Sequence, residues 1–472
     1  MHKLSTILAS ALLVTGVGQL HADEVKMTTA LTTGEKLALA LNADVNVDLT
    51  WGNGAKQSLH SDGSLLSIDV KHAELTITTT SGKLTALFVQ GNKLSALDVT
   101  NAPALKQLLA ADNQLTTLNV AQCTKLETID VQGNRLTALT ATALGGLTDV
   151  NVAGNLIKGT NLKINTSARP EYFVASDNDG ISSLPTAATL ADVKTLWVDG
   201  NALKSLAVGS SNNMRSLHAS NNALTRVTLG NMPMVEDVWV DHNQLTALNL
   251  SKGSPKLQVL AADHNKLTSI LWDADCKKTC RYVYVNDNAL FINSMPALKY
   301  GGQDVKVNYK PQEDFVITTK AYKLDEQIDL SEYINRNGWD ISNYAEYTLT
   351  DRTGYELVKG TDYTETSKKF TFKKDFAGVV LTVKNNTGEY EFKTAGFTVG
   401  QPVGIDYVST ADALTFGTGR GMLHISAGKP ARVQAYNAAG VCIMNETLSA
   451  GEHAKALPAG IYVVNGRKVL VK

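Results

Sequence analysis

The sequence predicts a mostly β protein: a solenoid with a parallel sheet on its concave face and an extended or 3₁₀ convex side, then a β-sandwich, then a small C-terminal β-domain. Three observations predict it. One phrase recurs at a nearly constant interval through the middle of the chain. Inside each copy two aliphatic residues stand two apart, which is strand alternation with one face in and one face out. Beyond the copies the period stops, and short β-branched and aromatic runs follow, separated by turn residues.

The phrase is leucine, two variable residues, an aliphatic, one variable, an aliphatic, two variable, asparagine, one variable, leucine. "LTALFVQGNKL" (Leu84 to Leu94), "LKQLLAADNQL" (Leu105 to Leu115) and "LETIDVQGNRL" (Leu126 to Leu136) are its first copies. The asparagines are Asn92, Asn113, Asn134, Asn155, Asn178, Asn201, Asn222, Asn243, Asn265 and Asn288, spaced 21 to 23 residues apart. Self-similarity at this period is the mark of a leucine-rich-repeat solenoid. A single such strand cannot bury its apolar face, so the array folds only as an array. Each turn after a strand leaves backbone groups without ladder partners. An asparagine amide both donates and accepts, so an inward column of them predicts a structural ladder. The short period leaves no room for a full convex helix.

Taken from the start, residues 1–22 predict a cleaved signal peptide: Lys3 is a basic n-region, Ile7 to Val17 is an apolar run too short to span a bilayer, and Ala22 is the cleavage residue. No later stretch reaches 18 apolar residues, so no transmembrane segment is expected in the mature chain. Net charge is −1, from 44 basic and 45 acidic residues without a basic block, which argues against nucleic acid as a partner. At 472 residues several domains are expected.

Residues 23–83 are expected to cap the open apolar end of the solenoid. "VNVDLTWGNGAKQSL" (Val45 to Leu59) alternates, turns at Gly52-Asn53-Gly54 and alternates again, which predicts a hairpin. "LLSIDV" (Leu65 to Val70) and "LTITTT" (Leu75 to Thr80) read as degenerate first coils. The regular solenoid is expected over 84–300, with Gly301-Gly302 and Lys310-Pro311 punctuating its end. Residues 312–400 read as a β-sandwich spacer, immunoglobulin-like in architecture only, and 401–472 as a further β-domain.

The candidate site is the outward column four residues before each asparagine. In order it reads Phe88, Leu109, Asp130, Asn151, Val174, Trp197, His218, Trp239, Ala261 and Tyr284. With coils stacked about 4.8 Å apart, Trp197, His218 and Trp239 should form one aromatic ridge. Asp199, Asp241 and Asp263 border it two residues on, while Asp237, Tyr172 and Tyr282 are expected on the opposite flank. The chain has only five tryptophans, and two fall in this column. Tryptophan and tyrosine dominate binding hot spots, and the carboxylates suit a protein or peptide with basic character. A soluble glycan stacking on the tryptophans is the alternative ligand, and an idle face in a structural matrix component is another.

Asp241-His242-Asn243 and Asp263-His264-Asn265 bring two imidazoles and carboxylates together, but glycines and aspartates fill the same position in other coils, so turn filling is the reading and no metal is assigned. Cys276 and Cys280 are a disulfide candidate in an exported protein, and Cys123 reads as core. There is no Gly-x-Ser-x-Gly elbow, phosphate loop or His-Glu-x-x-His, and a flat open arc excludes water poorly, so neither catalysis nor a cofactor is expected.

The tail carries Tyr436, Asn437 and Gly440, then Leu457, Pro458, Gly460, Ile461 and Tyr462, then Lys468, Val469, Val471 and Lys472. In these residues it resembles the C-terminal sorting domain of the type IX secretion system of Bacteroidetes. The resemblance implies recognition by secretion machinery at the outer membrane, removal of the tail and display at the cell surface or release. The repeats with their "WGNG" cap are similar to internalin-like leucine-rich-repeat proteins of the same bacteria. That resemblance implies a surface protein that works in adhesion, aggregation or biofilm formation.

Overall fold

The computed structural model describes residues 22–186, 189–250, 253–273, 275–291, 294–296, 299–300, 303–313, 315–317, 321–334, 346–384, 390–400, 414–419, 421–428, 430–437, 441–465 and 467–471. The expected signal peptide before Ala22, Gly301-Gly302, and the sorting residues Gly440 and Lys472 lie outside them. The chain divides into two compact units, one running to Leu290 with Ser294–Glu313, the other comprising Phe291–Asn293 with Asp314–Lys472.

In the first unit a thirteen-stranded sheet follows the repeat order. Parallel pairing begins at Ala86–Phe88 against Gln107–Leu109 and continues coil by coil to Tyr282–Tyr284. It does not stop near residue 300: Lys306–Asn308 adds one more parallel strand. In each strand the middle residue points inward, as Leu87, Leu108, Ile129, Val150, Phe173, Leu196, Leu217, Val238, Leu260 and Val283, all buried. Their neighbours on either side therefore face out along the concave surface. The returning side is extended: Leu139–Ala141 pairs with Leu162–Ile164, Ser205–Val208 with Arg226–Leu229, and Ala247–Asn249 with Ser269–Leu271, each in parallel. One coil carries a single helical turn, Cys276–Thr279.

The asparagines tie successive coils. Asn134 Nδ2 donates to the carbonyls of Ala110 (2.9 Å) and Val131 (3.0 Å), and its Oδ1 accepts the Leu115 N–H at 3.0 Å. Asn155 repeats the set on Val131, Val152 and Leu136, and Asn243 on Ala219, Val240 and Leu224. At the far end Gln312 stands in the asparagine's place, accepting Leu290 N–H (2.8 Å) and donating to Val285 and Tyr309. At the near end Asn92 makes its two bonds to Ala38 of the cap.

The cap is antiparallel. Its sheet runs Lys56–Ser61, Val45–Trp51, Glu74–Ser81, Glu24–Thr29, Leu94–Asn101, with the hairpin forming its first pair. This corrects the reading of 65–70 and 75–80 as degenerate coils. Leu66–Asp69 pairs antiparallel with Lys36–Leu41, and Glu74–Ser81 lies between two antiparallel neighbours. Alternation fixes which face a strand buries, not the direction of its partner. Lys36–Leu41 then pairs antiparallel with Ala86–Phe88 and so closes the solenoid's first edge.

In the second unit, Gln327–Asp329, Lys369–Phe372 and Tyr363–Thr366 form one antiparallel sheet. Glu346–Thr350, Phe376–Lys384, Glu391–Lys393 and Phe397–Val399 form another; Phe370 and Phe372 of the first sheet and Leu381, Val383 and Val399 of the second are buried. Further on, Leu414–Gly419, Met422–Ala427 and Gly451–Ala456 form a sheet, as do Cys442–Leu448, Ala431–Asn437, Gly460–Val464 and Arg467–Val471. Phe416, Leu423, Ile425, Val433 and Tyr462 share one core there. No helix among the described residues is long and apolar enough to cross a membrane.

Candidate functional site

The outward column is in register. Val174 pairs with Trp197, Trp197 with His218, His218 with Trp239, Trp239 with Ala261 and Ala261 with Tyr284. The Trp197 and His218 rings stack with centroids 5.1 Å apart at 17°, and His218 meets Trp239 at 5.4 Å and 45°. Trp239 is 37% exposed and Tyr284 36%. Phe88 is half-buried at the first coil, too far along the array to join the ridge, and Ala261 separates Tyr284 from Trp239.

A hydrogen-bond chain fixes the ridge. Trp197 Nε1–H donates to Ser216 Oγ at 2.9 Å, and Ser216 Oγ–H donates to Asp237 Oδ1 at 2.8 Å. The same oxygen lies 2.7 Å from His218 Nε2. Asp237 is therefore part of the ridge, not of an opposite flank. Residues two apart on a strand share a face, and one carboxylate here reaches Ser216 in its own column and His218 in the next. Tyr172 and Tyr282 stand in the Asp237 column, one at each side, both exposed; the Lys306 ammonium sits 5.7 Å from the Tyr282 ring centre. Sequence reading missed Ser216 and Lys306, because a small hydroxyl and an exposed lysine leave no periodic signal.

Another column passed unnoticed although it sits at a fixed offset, seven residues before the asparagines. There Lys106 pairs with Glu127 (2.9 Å), Lys194 with Glu171 (2.5 Å) and Arg215 with Glu236 (2.7 Å). Such exposed pairs are worth little in stability, about 0–1 kcal/mol each. The Lys194–Glu171 and Arg215–Glu236 pairs do line the ridge with both signs of charge.

The acidic border is largely engaged within the protein. Asp199 Oδ1 accepts the Ser220 N–H at 2.7 Å, and burial pushes its carboxyl above the usual range. Burial does the same to Asp130 and Asp149. Asp241 accepts from Ser220 Oγ–H and lies 2.9 Å from His242 Nδ1. Asp263 lies 2.8 Å from His264 Nδ1 and by that bond raises the imidazole above its ordinary range. His242 and His264 stack with centroids 4.2 Å apart at 11°.

The disulfide candidate is corrected. Cys276 and Cys280 are free and buried, with Cys276 Sγ–H donating to the Ser254 carbonyl at 2.9 Å and Cys280 Sγ 4.0 Å from the Tyr282 carbonyl. The intervening helical turn sends the thiols to different partners. Cys123 is buried with its thiol against the Val99 carbonyl.

Of the sorting residues, Leu457 and Pro458 precede the strand Gly460–Val464, which holds Gly460, Ile461 and Tyr462; Lys468 and Val469 lie on Arg467–Val471. Tyr462 is buried and its hydroxyl donates to the Pro458 carbonyl at 2.8 Å, while Ile461 is exposed.

No family model matches the chain, and no curated protein matches it. The functional domain of InlJ from Listeria monocytogenes is similar at 15% identity and TM-score 0.27, covering 67% of this chain and 90% of that one. YopM, a leucine-rich effector from Yersinia pestis, is 21% identical at TM-score 0.36, over 49% of this chain and 67% of its own. InlP from Listeria monocytogenes is 17% identical at TM-score 0.33, over 64% and 76%. On its own register and its own asparagine ladder, the first unit of this protein is a capped leucine-rich-repeat solenoid.

Proposed function

We propose that this is an exported, non-catalytic surface protein that binds a protein or peptide partner through the Trp197–His218–Trp239 ridge, in adhesion or aggregation. One observation carries the reading: three large rings stacked in register on the open face of the sheet, with their rotamers tied by Ser216 and Asp237. Locked aromatic side chains bury area at low entropy cost, which is what hot spots need. Export rests on the leader and tail residues of the sequence. If the leader is removed after Ala22, the mature chain begins at Asp23, whose carboxylate accepts the Leu84 N–H at 2.8 Å.

The test is attachment and cell–cell aggregation by cells displaying the full chain, against cells displaying Trp197→Ala/Trp239→Ala. The double variant should fold and be displayed at wild-type level, because its side chains lie outside the core. Attachment should fall at least about tenfold, since truncating hot-spot residues costs ≥ 2 kcal/mol. Unchanged attachment rejects this face as the binding site. Mass spectrometry of the surface form checks the termini: a chain beginning at Asp23 and lacking the tail is expected, and an intact tail on displayed protein contradicts the sorting reading.

A further inference from the structure

We propose a divalent transition-metal site, of the zinc class, at the turn edge of the solenoid, formed by His242, Asp263 and His264. One potential ligand atom from each lies within 4.8 Å of the other two. The two imidazoles come from adjacent coils and stack at 4.2 Å and 11°, so their nitrogens are offered side by side.

The backbone sets both imidazoles at equivalent turn positions. The residue before each ladder asparagine sits in the left-handed region, and glycine, asparagine or aspartate occupies it in most coils. Examples are Gly133, Gly154, Gly200, Asn221 and Asp287. His242 and His264 hold φ of 52° and 50° there. Histidine, like asparagine and aspartate, is enriched among the non-glycine residues that adopt this conformation, so the turn accepts an imidazole in two successive coils. What two histidines supply, and two asparagines would not, is a pair of basic ring nitrogens.

Neighbouring carboxylates complete the arrangement. Asp241 holds His242 Nδ1 at 2.9 Å, and Asp287, in the histidines' own column one coil beyond His264, reaches His264 Nε2 at 3.4 Å. Carboxylates bonded to imidazoles orient the rings and raise their basicity as ligands. Tetrahedral zinc needs bonds of about 2.0–2.2 Å, hence donors roughly 3.3 Å apart. The rings are about half exposed, so side-chain rotation of about an ångström closes the set. Mixed imidazole and carboxylate ligands suit zinc, copper or nickel over calcium or magnesium. Three protein ligands leave a coordination position open to water or to a donor from a bound molecule. The site borders the aromatic ridge without using any residue of it.

The test is calorimetric titration of the metal-free full chain with Zn²⁺, with Co²⁺ as a spectroscopic probe and Ca²⁺ as control. Variants are His242→Asn/His264→Asn and Asp263→Asn. Asparagine already occupies this turn at Asn221 with φ 54°, so the coil should keep its shape, checked by an unchanged circular dichroism spectrum. Wild type should bind one equivalent of Zn²⁺ and give a visible Co²⁺ band of imidazole ligation. The double variant should lose at least about 100-fold in Zn²⁺ affinity together with the Co²⁺ band, and Asp263→Asn about 10–100-fold. Should the double variant disturb the coil, the Asp263→Asn titration decides alone. Absence of saturable Zn²⁺ binding by wild type, or binding that both variants retain, overturns the proposal.

Discussion

The ladder predicts a large cost for losing one rung in the middle of the array. In Asn134→Ala the Leu115 N–H, fully buried, loses its acceptor at 3.0 Å. The three carbonyls fare better: Ala110 keeps Asn113 Nδ2 at 3.0 Å, Val131 keeps Asn155 Nδ2 at 2.9 Å and Gln132, 3.3 Å from Asn134 Nδ2, keeps the Asp112 N–H at 2.9 Å. One orphaned buried donor costs about 1–3 kcal/mol, and three carbonyls each lose one donor and keep another. The carboxamide also leaves a small void, which brings the sum to about 2–5 kcal/mol. Because each coil touches only its neighbours, the damage should be local first. Urea unfolding of the full chain, followed by tryptophan fluorescence, should show an earlier transition. Hydrogen exchange should open preferentially around 105–155. Asn134→Asp separates donor from acceptor. Its carboxylate can still accept from Leu115, but turns an oxygen toward the Ala110 and Val131 carbonyls. Buried there, the carboxyl would titrate above its unfolded value, so stability should return as pH falls through the folded value. A loss below about 1 kcal/mol for Asn134→Ala, with no local opening, would refute the claim that the amides couple the coils.

Other consequences follow from burial. Asp130 is held in the column where Asn151 does the same work: each accepts the N–H two residues on, Gln132 at 3.1 Å and Ala153 at 3.2 Å. Since burial raises the Asp130 carboxyl, its ionised form weakens the fold at neutral pH and stability rises as pH falls through the folded value. Asp130→Asn should therefore raise the melting temperature at pH 7, by a margin that shrinks in acid; a lower melting temperature at pH 7 contradicts this. Burial pushes the Cys123 thiol up to about 11 and those of Cys276 and Cys280 up to about 12, while Cys442 is exposed. The thiolate is the reactive form. Iodoacetamide at pH 8 should modify Cys442 in the native protein and all four cysteines only after denaturation, and fast native labelling at Cys276 would count against the burial.

What the sequence made legible was whatever backbone chemistry repeats. An asparagine is demanded once per coil by the same unpaired groups, so it is periodic, and the residue four before it inherits a fixed outward place. Trp197, His218 and Trp239 could be aligned on that basis alone. Gln312 escaped because a longer amide does the same job with a different letter. The cap escaped because Leu66–Asp69 and Glu74–Ser81 alternate as a coil strand does, and alternation is silent about strand direction. The thiols of Cys276 and Cys280 could not be aimed from spacing, since the helical turn between them is a tertiary outcome. The stacking of His242 on His264 depends on ring orientation, which the Asp241 and Asp263 carboxylates fix and spacing does not reveal.

The ridge differs from an incidental row of exposed rings in one respect, and that respect can be tested. A solenoid cannot cover its own concave face, so some outward side chains are aromatic by chance. Chance does not require that their polar atoms be tied. Here Trp197, Ser216, Asp237 and His218 form one continuous chain of bonds of 2.7–2.9 Å, on the solvent side of a sheet that is already held by its backbone and its asparagines. Ser216 is half-buried and contributes little apolar area, so Ser216→Ala should change stability by no more than about 1 kcal/mol, the worth of an ordinary hydrogen bond. It would nonetheless free the Trp197 indole and remove one tether of Asp237. If the ridge is a binding surface whose rotamers are set in advance, attachment should weaken by several-fold through faster dissociation, and the indole should show greater fluorescence depolarisation. If depolarisation rises while attachment stays at the wild-type level, the tether serves the sheet alone, and rigidity is no part of how this face binds.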